Sequence, residues 1–270
     1  SHHQLNLIDT PGHIDFNYEV ERSLAACEGA LLLVDATQGV QAQTIGNLNL
    51  AKKQHLKLIP VINKIDLPAA QVEETAKAIQ KLLPGSTPIQ VSAKTGHGVA
   101  ELFQNIIDQI PAPSGSVEQP LRALVFNSVY HPHLGVVAFV RVIDGSLLTS
   151  TKLTLLQTQQ SFVPQEIGIF TPGMTATSEL KTGQVGFIAT GLKDIHKVQV
   201  GDTLTTFNAH PIPLPGYRQI KPNVFLEVYP SDNSQYKAML TAVDKIKLHD
   251  AALSITPTSS PSLGHGLQVG

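Results

Sequence analysis

The sequence predicts a multidomain protein in which an α/β domain is followed by an all-β barrel and then by part of an α+β domain. Residues 1–112 alternate strand-like apolar runs with helical apolar patterns, whereas residues 119–208 contain short strand patterns separated by turn residues. Residues 221–270 return to strand, helix and strand. The stretches at residues 113–118 and 209–220 contain the Pro and Gly residues typical of linkers.

Within residues 1–112 each predicted strand is followed by a helix, which is typical of a parallel sheet with helices on both faces. The first strand is predicted at residues 4–9, because apolar residues lead there to an acid and a Pro-Gly turn. Residues 30–35 are apolar up to Asp35, as expected for a parallel strand covered on both faces. Pro60 is awkward in the next strand because it has no N–H for the ladder. The other predicted elements are strands at 56–62 and 88–91 and helices at 14–27, 41–54, 71–83 and 98–110.

The middle of the chain is predicted to form a small barrel, because strand patterns follow one another there with turn residues between them. Beyond the second linker, a helix with an apolar stripe that includes Tyr236, Leu240 and Val243 is flanked by strand patterns. The predicted strands are residues 121–130, 135–142, 152–157, 161–169, 185–189, 202–206, 221–229, 253–256 and 264–270.

Composition argues against several classes of protein. The net charge of −2 and the pI of about 6.6 give no global attraction to nucleic acid, so any RNA contact depends on local patches. No apolar run approaches the ~20 residues that span a bilayer. The single Cys27 cannot form an internal disulfide and lies on an apolar helix face, which favours a reducing compartment and a core role. His131 and His133 have no third ligand nearby, which favours a surface loop over a metal site.

Asp9, Gly12 and His13 form the first cluster with candidate chemistry. Asp9 is expected at the carboxyl end of a strand, the edge at which open α/β sheets hold ligands. Gly12 lets its backbone N–H approach a phosphate oxygen, and His13 can orient a water. An acid for the metal shell, a bare amide and a water-positioning side chain are parts of a nucleotide hydrolase. The alternative is an ordinary strand and turn with a surface imidazole.

The run Asn63-Lys64-Ile65-Asp66 has the chemistry to recognise guanine. The Asp66 carboxylate can accept from both the ring N–H and the exocyclic amine, a donor pair that adenine lacks. Asn63 can tether neighbouring loops or reach the base edge, and the stem of Lys64 can cover the ring while its ammonium stays in water. The alternative is a polar loop in which Asp66 begins a helix.

Ser92, Ala93 and Lys94 follow the next strand and can close the other side of such a base site. Backbone N–H groups of this loop can donate to the guanine carbonyl, and Lys94 can cover the second ring face. Ser and Gly are common in strand-to-helix loops, so the cluster is weak alone. Three such clusters, each after a predicted strand, together indicate a guanine-nucleotide domain.

A phosphate-binding GxxxxGK[ST] run occurs nowhere in the 270 residues. Its lysine, its Mg²⁺-binding hydroxyl and its cradle of N–H groups are therefore missing, as is a first switch segment. An acid in the position of Asp9 would act on the metal ion through water. Without the lysine, the hydroxyl and the N–H cradle, most of its partners in such a metal site are missing.

The motifs DTPGH, NKID and SAKTG, in this order, resemble those of translational GTPases. The sequence between and around these motifs most resembles the elongation factor 4 (LepA) family. The runs that carry this resemblance include LNLIDTPGHIDFNYEVERSLAACEGALLLVDATQGVQAQT, IPVINKIDLPAA, GVVAFVRVIDGSL and LPGYRQIKPNVF. The similarity covers essentially the whole chain. It implies a P-loop-type GTPase domain truncated at its N-terminus, a β-barrel second domain, and the start of a ferredoxin-like third domain, without the later domains.

The resemblance assigns a role to each matched residue. Asp9 corresponds to the acid that binds Mg²⁺ through water, Gly12 to the amide at the γ-phosphate, and His13 to the catalytic histidine. The guanine-binding residues correspond to Asn63, Lys64 and Asp66, and the base-closing loop to Ser92, Ala93 and Lys94.

For the parent protein, the resemblance implies a GTPase that uses GTP or GDP with Mg²⁺ and moves tRNAs backward on stalled ribosomes. The implied partners are the ribosome, with its rRNA and proteins, and tRNA-containing complexes, and the protein is expected to be a monomer. The implied location is the cytoplasm with peripheral association with the inner membrane, the alternative being the mitochondrial or plastid matrix. The fragment itself is predicted not to hydrolyse GTP. Two alternatives are a translocase-type elongation factor and a non-catalytic ribosome- or nucleotide-binding module.

Overall fold

The computed structural model describes residues 3–10, 17–215, 225–249 and 254–270. Within the described residues, its first unit is a three-stranded parallel sheet whose strands lie side by side in chain order, with four helices. The alternation of strand and helix predicted from the sequence is confirmed. The elements are α1 Asn17–Ala25, β1 Gly29–Asp35, α2 Ala42–Lys53, β2 Lys57–Asn63, α3 Val72–Leu82, β3 Ile89–Gln90 and α4 Val99–Gln109.

Helices cover both faces of this sheet because the side chains of β2 alternate between them. Ile59 and Val61 pack on one face in a cluster that includes residues of α4. Ile62 packs on the other face against Ile79 of α3, and Leu58 faces α1 there. A strand that is covered on both faces needs a nearly continuous apolar sequence, and the run that precedes Asn63 supplies it.

Pro60 lies inside β2, the central strand, opposite Leu32 of β1. Residues two apart on a strand present their backbone groups to the same neighbour. Since the carbonyl of Ile62 accepts from the N–H of Val91, Pro60 faces the β3 side. The ladder between β2 and β3 covers only Val61 and Ile62, so Pro60 removes no ladder hydrogen bond.

The strand predicted at residues 4–9 is wrong. Residues 3–10 have no regular secondary structure, and Leu5 and Leu7 are 48% and 87% exposed. A segment with apolar residues forms a strand only where a sheet edge pairs its N–H and C=O groups. In the described sheet β1 is the edge strand, so residues 3–10 do not pair with it. The Gln4 side chain instead accepts a hydrogen bond from Gln184, at 3.4 Å, in the second unit.

The second unit is barrel-like, as predicted. Its strands are β4 Arg122–His131, β5 Gly135–Asp144, β6 Ser146–Leu148, β7 Leu153–Leu155, β8 Ser161–Phe162, β9 Glu166–Thr171, β10 Gly173–Thr177, β11 Glu179–Lys181, β12 Val185–Ala189 and β13 Thr203–Thr206. An eight-stranded sheet in the order β10-β9-β12-β5-β4-β13-β7-β8 and a two-stranded ladder of β11 with β6 surround one apolar core.

The single strand predicted at residues 161–169 is wrong, because β8 ends at Phe162 and β9 begins at Glu166. Pro164 lies between them and cannot donate to a ladder. Three strands of the second unit, β6, β10 and β11, were not predicted. Two of them have only three residues, and β10 is mostly exposed and lacks an apolar alternation.

One ion pair attaches both linkers to the barrel. The Asp144 carboxylate accepts from Arg122 Nε at 2.8 Å and Nη2 at 2.5 Å, and from the N–H of Ser116 at 3.1 Å. Arg122 Nη1 also donates to the carbonyl of Ile212, at 3.2 Å. Ser116 lies before the barrel and Ile212 lies after it, so the two ends of the barrel meet at this pair.

The first unit contacts the barrel through α1, which lies against β4. Beside this contact, Arg141 of β5 forms a salt bridge with Glu28, the residue before β1. The Arg141 side chain is only 9% exposed, and its Nε has no hydrogen-bond partner among the described residues. A buried cation therefore depends on a carboxylate from the neighbouring unit.

The elements described in the last unit are β14 Leu226–Val228, α5 Tyr236–His249, β15 Ile255–Ser260 and β16 Gly264–Val269. These strands form an antiparallel sheet in the order β14-β16-β15. The predicted helix and the strand at 264–270 are confirmed. Parts of the strands predicted at 221–229 and 253–256 lie outside the described residues.

Candidate functional site

The loops that follow β1, β2 and β3 meet at one edge of the parallel sheet. Asp35 and Asn63, the last residues of β1 and β2, are paired in the ladder, and the N–H of Val91 donates to the carbonyl of Ile62 at 2.8 Å. The structure therefore brings two of the predicted clusters, Asn63 to Asp66 and Ser92 to Lys94, to the same place. Ligands of open α/β sheets bind at this carboxyl edge.

Asn63 ties these two loops together. Its Oδ1 accepts from the N–H of Lys64 at 2.8 Å and from the N–H of Ala93 at 3.0 Å. Two roles were predicted for this side chain, and its engaged oxygen favours the tether between loops over contact with a base edge.

Ser92 is fully buried and anchors Asp66. Its hydroxyl donates to Asp66 Oδ1 at 2.7 Å and accepts from the N–H of Thr95 at 3.2 Å. The backbone of Ser92 closes the loop through its N–H to the carbonyl of His97 and its carbonyl to the N–H of Gly96. Asp66 itself is exposed, and its Oδ2 accepts no hydrogen bond within the described ranges. The carboxylate is thus held at one oxygen and open at the other.

Gly98 allows α4 to start directly behind this loop. Its φ of +72° is in the left-handed region, and a Cβ there would lie 2.1 Å from the carbonyl oxygen of Gln90. Only glycine fits this position, so the end of β3 and the start of α4 approach closely and the loop from Ser92 to His97 stays compact.

Lys64 is held by an acid that the sequence interpretation did not select. Its Nζ lies 2.7 Å from Asp35 Oδ2, and its backbone has a left-handed φ of 64°. Asp35 Oδ1 accepts from both the N–H and the hydroxyl of Thr37, at 2.8 and 2.7 Å. Lys64 first, and then Thr37, lower the pKa of Asp35 from 3.8 to about 2. An acid at the carboxyl end of a strand was the signal used for Asp9, and the same signal could have found Asp35.

The other predicted residues are less constrained. Lys94 is exposed and makes no ion pair with the residues that the structure describes. Asp9 is exposed, does not stand at the end of a strand, and has no hydrogen bond to the other site residues in the described part of the chain. Gly12 and His13 lie outside the described residues.

Two residues that the sequence set aside have structural roles. The Cys27 thiol donates to the carbonyl of Ser23 at 3.2 Å, and burial raises its pKa to about 11, so it is not a reactive nucleophile. His131 Nδ1 accepts from the N–H groups of His133 and Leu134, which stabilises a turn.

Where the structure describes the chain, three or more His, Cys, Asp or Glu never gather in a metal-binding group. No described helix is long and apolar enough to cross a membrane.

Comparison with known families identifies the first two units. Residues 1–112 match the elongation factor Tu GTP binding domain, and residues 135–205 match elongation factor Tu domain 2. The apo crystal structure of translation elongation factor SelB from Methanococcus maripaludis aligns with 76% of this chain and 46% of its own, with a TM-score of 0.59 and 25% identity. Fold and sequence together define a translational GTPase domain followed by a barrel-like second domain.

Relatives narrow this class to one family. The chain is 51% identical over 271 aligned residues to elongation factor 4 of Kineococcus radiotolerans, and 44% identical over 269 to that of Bacillus cereus. Each alignment covers 98% of this chain, but only 43% and 44% of the relative. The chain belongs to the elongation factor 4 family of translational GTPases and spans less than half the length of these curated relatives.

Proposed function

We propose that the edge formed by Asn63 to Asp66 and Ser92 to Lys94 binds the base of a guanine nucleotide. The observation that carries this proposal is the half-anchored carboxylate of Asp66, held by Ser92 at Oδ1 and open at Oδ2. A fixed carboxylate accepts the paired donors of guanine without first losing side-chain freedom. Adenine presents an acceptor and an amine at the same edge and leaves the carboxylate without a second donor.

We propose that the loops around Asp66 contact the rest of the base. Asn63 joins the two loops through Ala93, which fixes the spacing between Asp66 and the backbone N–H groups of the second loop. In this proposal, those N–H groups face the guanine carbonyl, and the stem of Lys64 covers one ring face. Lys94 is exposed, and in the same proposal its stem covers the other face.

The catalytic part of the proposal concerns the parent protein. Asp9 would act on Mg²⁺ through water, Gly12 would bind the γ-phosphate, and His13 would orient the attacking water. Among the described residues, no three His, Cys, Asp or Glu side chains gather in a group that could hold a metal ion, so this part of the chain does not hold Mg²⁺ through such a cluster. Without a GxxxxGK[ST] run in the 270 residues, the isolated chain is expected to bind GTP weakly and to hydrolyse it negligibly.

Family membership supports a wider role in translation. We propose that the parent protein acts on the ribosome in the cytoplasm, or in an organelle matrix, and promotes back-translocation of tRNAs. Peripheral membrane association stays a prediction. The domain limits 1–112, 119–208 and 221–270 are part of the same proposal, with the last unit as the start of a ferredoxin-like domain.

Titration of a fluorescent GDP analogue with Mg²⁺ into the chain, against the matching adenine nucleotide, tests the base site. We expect guanine-selective binding that Asp66→Asn weakens about 5- to 150-fold, since a good bidentate base contact discriminates by about 1–3 kcal/mol. Asp108→Asn is the matched control, because Asp108 is an exposed carboxylate on α4 that also accepts one side-chain hydrogen bond. Equal affinity for the two nucleotides, or equal effects of the two substitutions, would overturn the proposal.

A further inference from the structure

Asp35 and Lys64 form an ion pair across the ends of two neighbouring strands. Asp35 is the last residue of β1, and Lys64 directly follows the last residue of β2. The 2.7 Å separation of Lys64 Nζ and Asp35 Oδ2 places this pair on the edge that carries Asn63 and Asp66.

Each partner of this ion pair is also held in place by contacts with other residues. Thr37 donates two hydrogen bonds to Asp35 Oδ1, which leaves Oδ2 directed to the ammonium. The backbone of Lys64 is fixed in a left-handed conformation, with its N–H on Asn63 Oδ1. A left-handed φ is unfavourable for a residue with a Cβ, and such conformations persist where the surroundings enforce them.

Stability alone is a poor reason for this arrangement. The side chain of Lys64 is 52% exposed and that of Asp35 is 19% exposed, and ion pairs at such positions add little to stability. Position is the informative property, because Lys64 is two residues from Asp66. An ammonium without Asp35 has the open carboxylate of Asp66 as its nearest alternative partner along the chain.

We propose that Asp35 is a positioning residue of the guanine site, which binds the Lys64 ammonium, keeps it away from Asp66 and thereby leaves the Lys64 stem beside the base. This inference rests on the proposed function, since it gives Asp35 a task only if Asp66 binds guanine. The proposal adds Asp35 to the predicted site, although the end of β1 contains none of the motifs DTPGH, NKID and SAKTG.

A double-mutant cycle tests the proposal in the full 270-residue chain, with the fluorescent GDP analogue as probe. Asp35→Asn is expected to weaken binding about two- to five-fold, the range of one exposed ion pair. Removing a negative charge should by itself strengthen the binding of an anionic nucleotide, so a loss of affinity is specific to lost positioning. In a Lys64→Met background, which keeps an apolar stem without an ammonium, Asp35→Asn should no longer weaken binding, because only the charge effect of the substitution remains.

The carboxyl resonance of Asp35, followed by NMR as a function of pH, reports on the pair without nucleotide. Its pKa should rise from about 2 toward 3.8 in Lys64→Met. An equal effect of Asp35→Asn in both backgrounds, or none in either, would overturn the positioning role and leave the guanine site intact. A chain that binds no guanine nucleotide selectively would instead overturn the proposed function, and the positioning role with it, whatever the resonance shows.

Discussion

Replacing Ser92 with alanine removes the hydroxyl that anchors Asp66 while keeping the buried Cβ. The hydroxyl donates to Asp66 Oδ1 at 2.7 Å and accepts from the N–H of Thr95 at 3.2 Å. A neutral hydrogen bond contributes about 0.5–1.5 kcal/mol and one to a charged group about 1.5–3 kcal/mol. Asp66 is exposed, so water replaces much of the charged bond, and the expected loss of stability is about 2 kcal/mol.

The same substitution should weaken guanine binding about ten-fold, because the freed Asp66 carboxylate must be ordered again when the base binds. Urea unfolding measures the stability loss, and titration with the fluorescent GDP analogue measures the affinity. Ser86→Ala is the matched control, since Ser86 also donates one hydrogen bond, at 2.7 Å to the carbonyl of Leu83, in a turn after α3.

If Ser92→Ala binds guanine as tightly as the unchanged chain, Ser92 does not orient Asp66 for the base. The same conclusion follows if Ser86→Ala weakens guanine binding to the same extent as Ser92→Ala. A stability loss with unchanged affinity would mean that Ser92 only closes its loop and does not orient Asp66.

Two further predictions concern charges. Glu28→Gln leaves Arg141 buried without its carboxylate and should cost about 3 kcal/mol in urea unfolding, the low end for a broken buried pair because Glu28 is 23% exposed. Arg141→Met in the same chain should recover part of this loss. An unchanged midpoint for Glu28→Gln would contradict the prediction. The pKa of Asp35 is lower in the folded chain, about 2 against 3.8, so its contribution to stability is present above pH 4 and is lost as the pH falls to 2. The stability difference between the unchanged chain and Asp35→Asn should therefore shrink over that interval, and a constant difference would show that the carboxylate charge has no role.

Local pattern was sufficient for the elements that bury apolar side chains. The apolar run of β2 predicts a strand covered on both faces, and the spacing of the apolar residues in α3 predicts a helix packed on the sheet. The convergence of the Asn63 and Ser92 loops also followed from the sequence, since parallel strands end at one edge of their sheet.

Strand pairing and contacts between side chains distant in the chain could not be predicted from the sequence. The run at residues 4–9 has the composition of a strand, but a strand exists only where a partner edge pairs its backbone. Strand β10 was missed because pairing with β9, and not an apolar face, holds it in the sheet. The contact of Asp35 with Lys64 joins residues 29 positions apart, and no spacing rule along one element predicts it.

Because both linkers are anchored at Asp144 and Arg122, the chain enters and leaves the barrel at the same place. Ser116 enters and Ile212 leaves beside the same ion pair, so the barrel begins and ends at one point on its surface. Chain ends that lie close together tolerate insertion and circular permutation. The barrel could therefore be excised and its flanks rejoined by a short bridge, or its own ends joined and new ones opened elsewhere, with the Arg122–Asp144 pair intact.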